Sequence, residues 1–320
     1  MGSEAIVAEN GIEKPKRVIA LAGATGGIGE ALALGYASAG THLMIAGRKE
    51  QILEKIAEKI RARGATVETA SFDLRDHDAA EKWSQRAALK NADVFILCGG
   101  VSASVEPMKI AESSTGSHQV NPTYLPEKQA DLLRELEVNA VGNILAANAF
   151  ARALLKRGNQ TAPGSSADDA SKRTSRSRIV FISSLAALTG LAGSPGYSAS
   201  KAALRTYGEG LRRLLEGTGI GVTVIFPGYV ESSMSRRYQG AKPWLMSAEK
   251  AAAKMIRAID AGRAEYAFPW ILALGIRLLN MLPRCFQGLF LKGFFFTVVP
   301  DAESRLSEQT TASVEDRQNN

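Results

Sequence analysis

Tyr197 and Lys201 stand four positions apart, and Ser184 lies thirteen positions before the tyrosine. Residues four apart on a helix share a face. An ammonium held beside a phenol favours the phenolate and lowers the phenol from its ordinary value of about 10. A phenol tuned in that way can give or take a proton near neutrality. Ser184 adds a second hydroxyl that could reach a carbonyl oxygen. The same spacing also arises by chance on a solvent-facing helix, so it needs a context.

That context lies in the first third of the chain. Val18 to Leu21 is a short apolar run, as expected of a strand buried on both faces. It leads into Gly23, Ala24, Thr25, Gly26, Gly27, Ile28 and Gly29, then into a helix-like segment from Glu30 to Ala39. A glycine-rich turn between strand and helix lets a pyrophosphate approach the backbone and sit at the helix N-terminus. A further strand, His42 to Ala46, follows in the order a βαβ nucleotide site requires.

Together these residues resemble the short-chain dehydrogenase/reductase family across residues 16–268, including members with an apolar C-terminal extension. The family's glycine motif matches Gly23, Gly27 and Gly29. Its asparagine matches Asn139, its serine Ser184 rather than the adjacent Ser183, and its Tyr-x-x-x-Lys pair Tyr197 and Lys201. Pro227, Gly228, Tyr229 and Val230 match its later proline-glycine motif. The resemblance implies that Tyr197 is the acid in reduction and the base in oxidation. Lys201 would lower its pKa and hold the nicotinamide ribose. Ser184 would hydrogen-bond the substrate oxygen, and Asn139 would hold a water linking Lys201 to solvent. Two departures stand out: Ala22 replaces the usual threonine, and Leu97-Cys98-Gly99-Gly100 replaces Asn-Asn-Ala-Gly, so Cys98 lacks an amide that normally braces the sheet.

The resemblance also implies a cofactor path. It starts at Gly23, Thr25, Gly26, Gly27, Ile28 and Gly29, and passes Asp73 and Leu74 beside the adenine. It continues along Gly99 and Gly100 to Tyr197 and Lys201, with Pro227, Gly228, Val230 and Ser232 on the far side. The end of the second strand reads Gly47-Arg48-Lys49, where a site for NAD would carry an acid. A guanidinium can bind a 2′-phosphate through two parallel hydrogen bonds, and Lys49 adds charge. The expected cofactor is therefore NADPH/NADP+, and the expected reaction is reduction of a lipophilic ketone to a secondary alcohol. Two other classes are the alternatives: a nucleotide-binding regulator without catalysis, and a membrane-docked assembly protein on the same fold. Intact Asn139, Ser184, Tyr197 and Lys201 argue against the first.

Strand-like and helix-like segments alternate along the chain, which implies a Rossmann-like, doubly wound parallel sheet with helices on both faces. After the second strand come a helix from Gln51 to Arg63, strand Thr66 to Ser71, a helix near Asp78 to Lys90 and strand Val94 to Leu97. A long helix is expected from Asp131 to Arg157, strand Arg178 to Ile182, a helix from Ser200 to Glu216 and strand Val222 to Phe226. Helix Ser247 to Ala261 and strand Ala264 to Phe268 complete the series. Residues 1–15 read as a tail and 16–268 as the catalytic domain. Residues 101–130 read as an irregular loop and 158–177 as a mobile polar insertion. Residues 301–320 read as a frayed polar end.

Phe268 to Pro300 is strongly apolar and carries Arg277, Arg284 and Lys292 but no acid. Its uninterrupted apolar runs fall short of the ~20 residues that span a bilayer, and Pro283 breaks any continuous helix. Three readings stay open: a lid over an apolar substrate pocket, an interface in a homo-oligomer, or a segment lying on anionic lipid.

Composition narrows the rest. The 320-residue chain is 45% hydrophobic with a formal charge of +7. That excess is modest, and no nucleic-acid motif accompanies it. Cys98 and Cys285 do not suggest a disulfide, and His42, His77 and His118 are scattered, so no metal site is expected. No secretory signal is read at the N-terminus, and Ile6 argues against myristoylation. The expected location is cytoplasmic, with peripheral membrane association open.

Overall fold

In the computed structural model of the chain, the residues described are 15–107, 124–159, 177–283, 287 and 297–303. Strands β1 (Arg17–Ala22), β2 (Thr41–Gly47), β3 (Thr66–Ser71), β4 (Val94–Leu97), β7 (Arg178–Ile182), β8 (Gly221–Pro227) and β10 (Glu265–Phe268) form one sheet. Its order is β10-β8-β7-β4-β1-β2-β3, and every neighbouring pair is parallel. Two small antiparallel pairs lie outside it: β5 (Glu106–Pro107) with β6 (Tyr124–Leu125), and β9 (Tyr238–Gln239) with β11 (Thr297–Val298). The chain is an α/β doubly wound fold whose strand order reverses between β1 and β4. Such a reversal opens a crevice at the C-terminal ends of the strands.

The sheet is buried because its strands carry apolar residues toward both faces. Successive side chains of a strand point to opposite sides. Ile19 and Leu21 therefore pack with Leu32, Leu43, Ile45, Leu53 and Ile56 on one face. Ala20 and Ala22 point to the other, where Phe95, Phe150, Phe181, Phe226 and Trp83 gather. Phe95 and Phe150 stack with centroids 4.2 Å apart. Helices α1 (Gly27–Tyr36) and α2 (Glu50–Arg61) lie on the first face and α3 (His77–Leu89) on the second. In α2 the buried residues are Leu53, Ile56, Ala57 and Ile60, the three-and-four spacing of one helical stripe. The Asp76 carboxylate caps α3 by accepting from the Ala79 amide.

The helix expected from Asp131 to Arg157 is present but not uniform. It comprises α4 (Gln129–Glu135), a π-helical turn (Leu136–Val141) and α5 (Gly142–Asn159). Gln129–Arg157 is long and apolar enough to cross a membrane, but 61% of its most apolar window is buried inside the fold, as in a core helix. The next helix, α6 (Pro195–Leu214), begins five residues earlier than expected at Ser200. Proline is well suited to a first helical position, since its ring presets the backbone and no donor is lost. The earlier start places Tyr197 and Lys201 in the first two turns. A short helix, α7 (Ser233–Arg236), α8 (Ala248–Asp260) and α9 (Trp270–Met281) complete the described helices.

Residues 101–105, expected to begin an irregular loop, are largely buried, with Ser102 fully enclosed. Residues 108–123, most of the 158–177 insertion and 1–14 lie outside the described residues. The end of the chain departs from expectation at 301–303. Asp301 and Glu303 form ion pairs with arginines of the folded domain instead of fraying. The rest of that segment, 304–320, lies outside the described residues.

Candidate active site

The glycine turn after β1 is held open for a ligand. Gly23 has φ of 86°, and a Cβ there would stand 2.6 Å from the Gly99 nitrogen. A Cβ on Gly29 would stand 2.1 Å from the Gly23 oxygen, so only glycine lets α1 start this close to the turn. Gly26 precedes α1 without a side-chain cap. The first amides of α1, from Gly27 to Gly29, thus keep donors that no intrahelical carbonyl can satisfy, the arrangement that binds a pyrophosphate. Thr25 packs against Gly47 at the end of β2, and Ser232 packs against Gly27. Ser232 also caps α7 through a reciprocal pair of bonds with Ser235. Val230 bridges to Met246 and fixes the chain leaving Pro227, while the Gly228 amide donates to Phe268. Ile28 and Gly228 line the same large cavity as Ser184 and Tyr197. These features fit a dinucleotide.

Tyr197 and Ser184 meet at the end of β7. Ser184 precedes a short 3₁₀ turn, and its hydroxyl accepts from the Ala186 amide at 3.1 Å. The neighbouring Ser183 is buried and donates to the carbonyl of Lys201 at 2.8 Å, so it anchors α6 to the sheet. Lys201 is also buried. Its ammonium donates to the Ile182 carbonyl at 3.1 Å and lies 5.7 Å from the Tyr197 ring centroid. Gly100 makes room for it, since a Cβ there would be 3.3 Å from Nζ.

Burial sets the electrostatics of this pair. Burial pushes the Tyr197 phenol well above its ordinary value, and interaction with Tyr238 adds to the rise while hydrogen bonding to Ser184 opposes it. Burial also lowers the Lys201 ammonium to about 8. Desolvation is the largest cause at both groups and opposes the charged form of each. In this geometry Tyr197 is a protonated acid.

Asn139 ties two segments of the site together. Its Oδ1 accepts from the Val101 amide at 2.7 Å, while Nδ2 donates to Val101 O at 2.9 Å and to Ser200 Oγ at 3.0 Å. Its side chain thus clamps the chain after β4 to α6. Its carbonyl accepts from Asn143 Nδ2 at 3.0 Å. The π-helical turn carries Asn139, and the extra residue in such turns re-aims side chains at functional sites.

Four features were not singled out from sequence. Asn143 donates to Gly99 O at 3.1 Å and so braces the end of β4, where Cys98 lacks an amide. Nothing in the sequence sets it apart from Asn139 and Asn148 of the same stretch. Tyr238 is partly buried, its hydroxyl is 3.2 Å from Ser102 Oγ, and burial pushes its phenol up to about 12. Glu135 is fully enclosed. Its Oε1 accepts from the Ala103 amide at 2.6 Å, and Oε2 has no hydrogen-bond partner among the described residues. Burial lifts its carboxyl to about 8, so it stays neutral at pH 7. Arg75 holds Asp73 through two side-chain bonds of 3.1 and 2.8 Å. Burial of Asp73 opposes this, but the bonds to Arg75 keep its carboxyl below the usual range.

Arg48 and Lys49 end β2 on the exposed side. Arg48 lies 3.0 Å from Glu303 and 3.6 Å from Asp73. Leu74 covers Gly99, where a Cβ would meet its Cδ1 at 2.2 Å. The expected cofactor residues thus line one edge of the sheet, from β2 and β3 to the ends of β7 and β8.

A cavity of about 790 Å³ opens from Ser184 and Tyr197. Its walls include Tyr229, Tyr238 and Trp244, and α9 contributes Leu272, Ile276 and Leu279.

The fold and this edge define a dinucleotide-binding oxidoreductase. Residues 17–242 match the short chain dehydrogenase family, and the chain belongs to it. An uncharacterized oxidoreductase of Myxococcus xanthus is 31% identical over 272 residues, covering 85% of this chain and 95% of that protein. A 1-deoxy-11-beta-hydroxypentalenate dehydrogenase of Streptomyces exfoliatus is 28% identical, over 68% of this chain and 69% of its own. Among solved structures, a short-chain dehydrogenase from Sphingobium yanoikuyae in complex with NADPH has a TM-score of 0.61 at 20% identity. The match covers 84% of this chain and 97% of that one. The chain is accordingly an enzyme of this family that acts on an alcohol/carbonyl pair with a nicotinamide dinucleotide.

Proposed function

We propose that the protein is an NADPH-dependent reductase of a bulky, lipophilic ketone. The observation that carries this reading is the 790 Å³ cavity, with Ser184 and Tyr197 in its lining and α9 as an apolar wall. The cofactor, when bound, supplies the hydride; the chain supplies orientation and the proton. Ser184 and Tyr197 bring hydroxyl donors to the carbonyl oxygen, where negative charge develops. Tyr197 then transfers its proton to that oxygen. Lys201 stays behind the ring and stabilises the phenolate that is left. Asn139 is a positioning residue that fixes Val101 and Ser200.

The discriminating measurement is NADPH oxidation against a ketone series of rising apolar size. We expect kcat/KM to climb as the substrate fills the cavity; a methylene in an apolar pocket is worth about 0.8 kcal/mol, or roughly fourfold. A preference for the smallest polar carbonyls would overturn the reading.

A second feature bears on where the substrate is met. On α9, Trp270 is 68% exposed and Met281 81%, with Leu274 and Leu278 on the exposed side. The exposed Trp244 and Leu245 add to the apolar surface, and Trp244, Leu278 and Met281 also line the cavity. That continuity supports a membrane surface as the occupant, since a lipophilic ketone would pass from lipid into the cavity without crossing water. Arg277 is paired with Glu265 at 3.3 Å, and Arg284 and Lys292 lie outside the described residues. Apolar insertion therefore carries more of this proposal than charge does. Trp270→Ser with Met281→Ser should weaken sedimentation with anionic vesicles severalfold and leave cofactor affinity unchanged. A full-length protein that ignores vesicles but becomes monomeric on this change would make the face an oligomer interface.

A further inference from the structure

The last described segment crosses the same edge of the sheet that the cofactor residues occupy. Val298 pairs with Tyr238 beyond β8, and its amide donates to Ser104 Oγ at 2.9 Å beyond β4. The Val299 amide donates to Arg237 O at 2.9 Å. Asp301 then pairs with Arg134 at 2.9 Å and Arg237 at 3.5 Å. Glu303 ends the path beyond β2 and β3. One of its oxygens lies 2.9 Å from Arg75; the other lies 3.0 Å from Arg48 and 3.4 Å from Arg134. Three guanidinium groups thus converge on one carboxylate at the place where a Rossmann-type site holds the adenosine ribose.

Among the described residues, the charges of this cluster balance with Glu303 in place. Arg48, Arg75, Arg134 and Arg237 face Asp73, Asp131, Asp301 and Glu303, four charges of each sign. Asp73 is already committed to Arg75, and Asp301 to Arg134 and Arg237. Withdrawing Glu303 leaves one uncompensated positive charge, with Arg48 and Arg75 exposed toward it. A phosphate monoester offers the same geometry as the carboxylate, with more oxygens and more charge.

We propose that Glu303 is a built-in occupant of the 2′-phosphate position, and that segment 297–303 is a strap the cofactor's phosphate must displace from Arg48 and Arg75. The proposal rests on the NADPH reading above and adds Glu303 and Arg75 to the residues that set cofactor choice. A ligand that meets a competing internal group binds with an affinity reduced by the fraction of open protein. A cofactor without the 2′-phosphate has no group to replace the carboxylate and so gains nothing from evicting it.

The test uses full-length protein and two probes that lack the nicotinamide, adenosine 2′,5′-bisphosphate and adenosine 5′-monophosphate, titrated by calorimetry. Glu303→Gln keeps the size of the side chain and removes its charge. It should tighten the bisphosphate about twofold to fivefold, the range for a partly exposed ion pair, and leave the monophosphate unchanged. Weaker binding of the monophosphate would mean that Glu303 reads the ribose hydroxyls, which overturns the strap. Arg48→Ala separates the two levels of inference. If it weakens both probes alike, the NADPH reading fails and the strap fails with it. If it selectively weakens the bisphosphate while Glu303→Gln changes nothing, the NADPH reading stands and the strap alone is refuted.

Discussion

Tyr197→Phe should lower reductive turnover by about two to four orders of magnitude, the range for losing a positioned acid. The hydroxyl is the only atom removed, and the ring remains packed in the α6 wall beside Lys201. Cofactor affinity should therefore persist. The pH dependence of the wild type gives the same argument a second readout. Burial keeps the Tyr197 phenol protonated through the neutral range, so the acid is not lost as pH rises. Lys201 is the group that changes: below about pH 8 its ammonium is charged and stabilises the phenolate formed as the proton leaves. Above that value the charge is gone and proton transfer becomes harder. The kcat/KM for reduction should thus fall along one limb centred near pH 8. Near-normal turnover in a folded Tyr197→Phe protein would remove the assigned role. A limb that follows the raised tyrosine instead would reassign the titration.

Much of the arrangement could be read in the chain because its signals are local. The apolar run at Val18 to Leu21 is what a strand buried on both faces needs, and the glycine turn after it has a steric cause at Gly23 and Gly29. Strands Thr66–Ser71, Val94–Leu97 and Arg178–Ile182 fall where pattern alone puts them. Failures occur where distant segments decide. The start of α6 at Pro195 depends on a proline cap, whereas apolar periodicity points to a later start. The π-helical turn under Asn139 has no periodic signature, and neither has the clamp that its side chain makes on Val101. Asp301 and Glu303 sit in a polar tail with no apolar partner. Only the fold brings them to Arg134, Arg75 and Arg48, more than 160 positions earlier in the chain.

Arg48→Ala is expected to separate the two nicotinamide dinucleotides. A charge-assisted hydrogen bond contributes about 1.5–3 kcal/mol, which corresponds to roughly a tenfold to hundredfold change in affinity. Arg48 sits at the end of β2 with its side chain 42% exposed, so solvent screening moves the expected loss of NADPH affinity toward the tenfold end. Arg75 softens the loss further, because a second guanidinium 2.9 Å from the same Glu303 carboxylate remains to meet a phosphate. NADH affinity should change little, since the substitution removes no group that the ribose hydroxyls need. The double change Arg48→Ala with Arg75→Ala should therefore lose more NADPH affinity than either alone. Fluorescence titration of both cofactors against the three variants measures this directly. Equal losses for NADPH and NADH would show that Arg48 supports the loop after β2 rather than selecting the phosphate. In that case the charge at this corner of the sheet would serve to tie down Glu303 and the end of the chain.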